Sequence, residues 1–218
     1  MRRLAVIIAA LAVAACASGT QSKPPARIDD SASIAARVPT MTEEELKDYV
    51  SERAEERLLE VCGEERTISR QLTCVRDATL RGFDTTGEAQ RNCDADAPLE
   101  PMLHCVIIGS LGYQLATEAK LEQASSYDWS DPEGAMKEAI ESLATQTVSG
   151  CMALPLSEID GCVVQKIGRS FALSEQVVTA CTDDADSAKS LDCLMRAHVI
   201  QQFESAFQRM GSGPGEQA

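Results

Sequence analysis

The stretch "VCGEERTISRQLTC", from Val61 to Cys74, decides the fold of this chain. It contains two cysteines, Cys62 and Cys74, with eleven residues between them. The first cysteine ends one amphipathic segment, and the second lies inside the next segment. A similar interval occurs three more times along the chain. The fold therefore depends on which cysteine chemistry this repeated spacing indicates.

The eight cysteines of the folded region form two similar sets. They fall at 62, 74, 93 and 105, and again at 151, 162, 181 and 193, an offset of 88 or 89 residues. Under the same offset Val75 matches Val163, and Phe83 matches Phe171. Self-similarity at a fixed period indicates a repeat architecture. We predict repeat 1 at residues 41–121, a linker at 122–129 and repeat 2 at 130–210.

Hydrophobic periodicity predicts helices throughout both repeats. In the first segment, Leu46, Val50 and Ala54 share one apolar stripe, as expected of an amphipathic helix. Thr42 and Glu45 have the spacing of a capping box. In repeat 2, Asp131 and Pro132 are an N-cap and a first helical residue. Because no segment alternates like a strand, we predict an all-α fold of about eight helices. We expect the helices to form two tandem repeats of about 80 residues, each cross-linked internally by disulfides.

The first sixteen residues read as an export signal. Arg2 and Arg3 precede an apolar segment that is too short to cross a bilayer. The segment ends in Val13-Ala14-Ala15-Cys16, which closely resembles the lipobox of bacterial lipoproteins. The resemblance implies a signal peptide at 1–15 and lipid, such as palmitate, on Cys16. A conventional secretory signal is the alternative, but nine cysteines leave an even eight once Cys16 is set aside.

The resemblance also bears on location. Ala17, and not Asp, follows Cys16, which by analogy with Gram-negative sorting suggests the outer membrane. We expect the body on the periplasmic side. Residues 17–40 are rich in Ala, Ser and Pro, so with Cys16 they predict a lipidated, flexible tether at 16–40. The end of the chain, 211–218, has the composition of a disordered tail.

Export favours disulfides over the other cysteine chemistries. Redox catalysis needs a CxxC pair, which the chain lacks. Structural zinc needs closely spaced ligand pairs, and the two histidines, His104 and His198, fall at different places in the two repeats. The periplasm is oxidising, so exported thiols pair. We predict Cys62–Cys74, Cys93–Cys105, Cys151–Cys162 and Cys181–Cys193, with the nested set Cys62–Cys105, Cys74–Cys93, Cys151–Cys193 and Cys162–Cys181 left open.

Charge and motifs limit the function. The net charge of −14 argues against nucleic acid and against a basic face on anionic lipid. No GxSxG, SxxK or HExxH motif occurs, so we predict no catalytic residue, metal site or cofactor. The acidic loops at 93–98 and 181–186 suit weak calcium binding less well than they suit carboxylates at a helix N-terminus. Trp129 is expected to pack at the junction of the repeats.

The sequence favours a non-enzymatic binding or structural module of the cell envelope. Its partners are the membrane, through the lipid, and an envelope protein, whose basic surface would suit this acidic chain. One alternative is an envelope hydrolase with a site between the repeats, using His104 or His198. Another is a carrier of a small apolar ligand, although Gly109 and Gly112 more simply predict tight helix packing.

Overall fold

The structure, a computed structural model, describes residue 38 and residues 41–118, 120–182 and 187–211. The predictions for the signal peptide, for Cys16, for nearly all of the tether and for residues 212–218 of the tail lie outside these residues. So do residues 183–186 of the second acidic loop. The described residues form eight α-helices and no strand, which confirms the all-α prediction.

The helices range in length from 5 to 24 residues. A 3₁₀ helix, Glu122–Ser126, lies between the fourth and fifth α-helices. The α-helices are α1 (Glu43–Cys62), α2 (Ile68–Phe83), α3 (Glu88–Asn92), α4 (Leu99–Glu118), α5 (Pro132–Ser149), α6 (Leu156–Ser170), α7 (Glu175–Thr182) and α8 (Ser187–Met210).

Side-chain caps fix where α1 and α5 begin. The Thr42 hydroxyl accepts the Glu45 N–H at 3.2 Å, and the Thr42 N–H donates to Glu45 Oε2 at 2.7 Å. Asp131 Oδ1 accepts the Gly134 N–H at 3.0 Å, with Pro132 as the first helical residue. Each cap satisfies N–H groups that have no partner within the helix. The two helix starts that were predicted from sequence are confirmed.

The chain divides into two compact units. Among the described residues, unit 1 comprises 42–107 and 203–211, and unit 2 comprises 38, 41 and 108–202. The division passes through α4 and α8, so each of these long helices contributes to both units. The repeat boundaries at 121 and 130 stay a prediction.

Each unit has its own apolar core. In unit 1, Phe83 and Phe203 meet edge to face at a centroid distance of 5.2 Å, a favourable geometry for aromatic pairs. In unit 2, Leu194 and Ile200 of α8 are almost fully buried. The buried side chain of Val38 also belongs to unit 2, where Arg196 Nη1 donates to the Met41 carbonyl at 3.0 Å. The N-terminal segment therefore joins the folded body at unit 2.

Four disulfides join successive helical segments, so the prediction of disulfide bonds is confirmed. The structure has the local pairing, and the paired Cα atoms are 5.5–6.0 Å apart. Each bond closes a loop of about a dozen residues, which restricts the unfolded chain and stabilises the fold by roughly 3 kcal/mol. The bonded pairs are Cys62–Cys74, Cys93–Cys105, Cys151–Cys162 and Cys181–Cys193.

Candidate functional site

Each unit exposes large apolar side chains at the helix junction beside its first disulfide. We call residues 59–72 of unit 1 tip 1, and residues 148–156 of unit 2 tip 2. Ile68 in tip 1 is 70% exposed, and Leu156, at the matching place in tip 2, is 88% exposed. A scattered exposed apolar residue is ordinary, whereas a local group is typical of a contact surface. The exposed members are Leu59, Ile68 and Leu72 in tip 1, and Val148, Met152, Leu154 and Leu156 in tip 2.

The two tips differ in charge. Tip 1 contains five charged residues, Glu60, Glu64, Glu65, Arg66 and Arg70. Tip 2 lies within residues 142–157, where no acidic, basic or histidine residue occurs. A quarter of the whole chain is charged, so this run stands out from its surroundings. The run is a signal in the sequence that could have identified tip 2, and the sequence analysis missed it.

Local hydrogen bonds and a disulfide hold tip 2 in shape. The Cys151 N–H donates to the Val148 carbonyl at 2.8 Å, and the Leu154 N–H donates to the Cys151 carbonyl at 3.0 Å. Cys151 itself is fully buried and bonded to Cys162. The turn is thereby fixed, while Met152 remains 67% exposed. A fixed turn with outward apolar side chains loses little conformational entropy on binding.

The helix that starts in tip 2 has no side-chain cap. Pro155 occupies the N-cap of α6 and accepts no hydrogen bond through its side chain. At the matching place in tip 1, the Thr67 hydroxyl accepts the Arg70 N–H at 3.3 Å. Lys166 Nζ lies beside tip 2 and donates to the Gly150 carbonyl at 2.9 Å. Tip 2 therefore combines apolar side chains with one cation and a helix N-terminus.

His198 is buried in an apolar environment. Its ring stacks on Phe171 at a centroid distance of 4.2 Å, and its Nδ1 has no hydrogen-bond partner among the described residues. Burial lowers the pKa of His198 to about 4, and a hydrogen bond to the Phe171 backbone opposes this only partly. A general base in a triad needs a carboxylate that orients it. His198 has no such partner, so it gives the hydrolase alternative no support.

His104 lies in α4 within unit 1 and has a partner of its own. No group of three or more His, Cys, Asp or Glu side chains among the described residues has a geometry that could hold a metal ion. In the first acidic loop, Asp94 Oδ1 accepts the Asp96 N–H at 2.9 Å. This bond organises the turn that precedes α4.

Gly109 and Gly112 of α4 receive aromatic rings from the same unit. A Cβ atom at Gly109 would lie 2.4 Å from Cζ3 of Trp129, and a Cβ atom at Gly112 would lie 2.2 Å from the Tyr127 hydroxyl. Trp129 also contacts Tyr113, with ring centroids 5.8 Å apart. The space that a carried ligand would need beside these glycines is filled by side chains of the protein. The glycines serve helix packing, and burial raises the pKa of Tyr127 above its usual value.

A groove of about 450 Å³ runs along α6 and α7 in unit 2. Its charged residues are Arg169 and Glu175, which have opposite signs, and its other walls mix Gly, Thr, Leu and Val. The groove gathers no set of like charges and no candidate nucleophile with a base. It is a surface feature of helix packing.

A polar cluster in unit 1 connects α1 to the last turns of α8. The Tyr49 hydroxyl donates to Glu204 Oε1 at 2.5 Å, and Arg53 Nε lies 3.6 Å from the same oxygen. Burial, followed by the bond to the Glu204 carboxylate, raises the pKa of Tyr49 above its usual value. Arg57 Nε donates to the Phe207 carbonyl at 2.8 Å. These contacts use Arg53 and Arg57, two of the three basic residues of α1, for internal bonds.

The outer face of α1 is strongly acidic as a result. Eight of the residues in Glu43–Cys62 are acidic and three are basic. Arg53 and Arg57 are engaged with α8 or with neighbouring glutamates. Asp48 and Glu52 are exposed and are not part of those contacts. This face suits a partner with a basic surface.

No family model, curated protein or solved structure matches this chain. Its function must therefore be argued from its own residues. Among the described helices, none combines the length and the apolar character that a membrane-spanning helix needs.

Proposed function

We propose that this chain is a lipoprotein of the bacterial outer membrane, attached through acyl chains on Cys16 and facing the periplasm. In this proposal the two helical units are a non-enzymatic binding or structural module. The observation that carries the proposal is the use of cysteines. The chain has nine, and the four disulfides among the described residues employ eight. The ninth is Cys16, the residue that the lipobox-like signal would acylate.

The disulfides also support export. Disulfides form and persist in oxidising compartments such as the periplasm. The thin core of a medium-sized helical chain with few aromatic residues benefits from such cross-links. A chain built in this way suits the envelope better than the reducing cytosol.

Acylation is tested by expressing the full chain in a Gram-negative host with labelled palmitate. We expect the label in the wild-type protein, in the membrane fraction, and a mature mass that corresponds to loss of residues 1–15 plus the lipid. The C16S variant should carry no label and appear in the soluble periplasmic fraction. An unlabelled wild-type protein with a free or disulfide-bonded Cys16 would overturn the proposal.

A partner with a basic surface is the second part of the proposal. The motivating observation is the exposed acidic face of α1, represented by Asp48 and Glu52. Affinity capture from solubilised membranes should recover such a partner at low salt and lose it at high salt, because exposed charges are screened. The D48K/E52K variant should recover less, whereas D160K, on an exposed acidic residue of α6, should behave like the wild type. Equal recovery by both variants would count against this face.

A further inference from the structure

We propose that tip 2 is a membrane-contact element, which inserts Met152, Leu154 and Leu156 into the interfacial region of a zwitterionic phospholipid surface. This inference rests on the lipid attachment proposed above, and it adds a second point of contact to that anchor. It is carried by the exposure, the lack of charge and the fixed geometry of residues 148–156.

The length and the end point of the N-terminal segment keep unit 2, and with it tip 2, within reach of the bilayer. A chain of 22 residues from Cys16 to Val38 spans at most about 80 Å when fully extended. That segment joins the body at unit 2, through buried Val38 and the bond from Arg196 to Met41. Tip 2 belongs to the same unit. A tethered contact of this kind acts at an effective concentration on the order of millimolar, so a weak lipid affinity is sufficient.

The charge of the chain favours tip 2 over every other exposed apolar group that the structure describes. Most of the surface is acidic, and its carboxylates would lose hydration if they entered the interfacial region, which costs free energy. Residues 142–157 contain no charge, so tip 2 inserts without that cost. Tip 1 contains five charged residues within its own bounds, and their desolvation opposes insertion. The charge nearest to Leu156 in the sequence, Glu158, lies outside tip 2. This difference in charge favours tip 2 over tip 1 as the element that inserts into lipid.

Tip 2 also offers groups for the lipid headgroup. Lys166 Nζ lies at its base, bonded to the Gly150 carbonyl. The Glu158 N–H donates to the Pro155 carbonyl at 2.8 Å. The N–H groups of Leu156 and Ser157 have no side-chain cap, because Pro155 stands where tip 1 has Thr67. A phosphate oxygen is a suitable acceptor for such N–H groups. Apolar side chains beside one cation and uncapped N–H groups match the chemistry of a zwitterionic interface.

The experiment tethers the protein to lipid without relying on Cys16. Residues 17–218 are prepared by export, so that the disulfides form, with a hexahistidine tag in place of Cys16. The protein is bound to nickel-chelating phosphatidylcholine vesicles or, as the control, to a soluble nickel-chelating polymer. Amide hydrogen exchange is then followed in peptides that cover residues 148–157. A tip that is inserted for nine-tenths of the time exchanges about tenfold more slowly on vesicles than on the polymer.

Two variants make the measurement specific. M152D/L156D should lose the vesicle-dependent protection of 148–157, while I68D, the matched change in tip 1, should keep it. Both variants are first checked for four intact disulfides by mass. Equal exchange of 148–157 on vesicles and polymer overturns the proposal, including the case in which tip 2 binds a protein instead. Failure of acylation at Cys16 would appear only in the palmitate experiment, so the two failures are distinguishable.

Discussion

The Tyr49 hydroxyl donates a hydrogen bond to Glu204 Oε1 at 2.5 Å, joining residues that are 155 positions apart in the sequence. Glu204 is buried, at 8% exposure, so its carboxylate depends on this donor and on Arg53 for compensation. Leaving a buried carboxylate short of a donor costs more than the mean value of a hydrogen bond. The pair therefore stabilises the docking of the last turns of α8 in unit 1.

Replacing Tyr49 by Phe is expected to lower the free energy of unfolding by about 1–3 kcal/mol, since hydrogen bonds to charged groups contribute in that range. Urea unfolding with the disulfides intact measures this. Y113F is the matched control, because Tyr113 packs its ring on Trp129 and no hydrogen bond of its hydroxyl contributes to the structure described above. A loss in Y49F no larger than in Y113F would contradict the role of the Tyr49–Glu204 bond.

The burial of His198 is expected to make the stability of the protein depend on pH. The folded-state pKa of His198, about 4, lies below the ordinary histidine pKa of 6.5. Between these values the unfolded chain binds a proton that the folded chain does not, so stability falls as pH decreases from about 6.5 to 4. The difference between the two pKa values corresponds to a decrease of about 3 kcal/mol in the free energy of unfolding. H198Q, which keeps a donor but does not titrate, should flatten this part of the profile.

The control for this profile is H104Q, which leaves His198 in place and should retain the slope between pH 4 and 6.5. Urea unfolding at a series of pH values compares the three proteins. Carboxylates titrate in the lower part of the same window, so only the difference between H198Q and the other two is assigned to His198. If H198Q and H104Q give the same slope, the burial of His198 does not have the energetic effect that its environment implies.

Two helical glycines of unit 2, Gly109 and Gly161, are expected to respond in opposite ways when each is replaced by alanine. At Gly109 a new Cβ would lie 2.4 Å from Trp129 Cζ3, and overpacking of this kind costs about 1–3 kcal/mol. At Gly161 in α6 a new Cβ would meet nothing within 4 Å, so the substitution should gain up to about 1 kcal/mol of helix propensity. Thermal unfolding should show a lower Tm for G109A and a higher Tm for G161A. A higher Tm in both would show that Trp129 moves aside freely.

The sequence predicted features that depend on neighbouring residues, and missed those that depend on distant ones. Two helix caps could be predicted, the capping box of Thr42 and Glu45 and the Asp131 cap. Each is defined within four consecutive residues, so a local pattern identifies it. The Tyr49–Glu204 bond joins residues 155 positions apart. Its existence depends on tertiary packing, which no local pattern encodes.

Which apolar side chains are exposed also depends on tertiary packing. Ile68 has the spacing of an apolar residue on the inner face of α2, yet it is 70% exposed. Helical spacing gives the face of a helix, but the fraction of that face that a neighbouring helix covers is a property of the packed unit. The uncharged run at 142–157 was readable in the sequence. Its meaning became clear only when Met152 and Leu156 proved to be exposed.

If the chain is acylated as proposed, residue 17 predicts the membrane to which it is sorted. Ala17 follows Cys16, and the resemblance to Gram-negative lipoproteins implies outer-membrane sorting unless Asp stands there. A17D should therefore shift the acylated protein to the inner-membrane fraction of a sucrose gradient, while A17S should remain in the outer-membrane fraction. Both variants should incorporate palmitate equally. An unchanged distribution of A17D would contradict this sorting rule for the chain.

Tryptic peptides distinguish the local disulfide pairing from the nested one. Arg66 and Arg70 lie between Cys62 and Cys74, and Lys189 lies between Cys181 and Cys193, whereas no Lys or Arg separates the other two local pairs. Without reduction, local pairing therefore yields two cross-linked peptide pairs and two peptides with internal bonds. Nested pairing would instead attach peptide 92–120 to both 58–66 and 71–76, and that product in the mass spectrum would overturn the pairing seen in the structure. The expected species are 58–66 linked to 71–76, 170–189 linked to 190–196, and internally bonded 92–120 and 138–166.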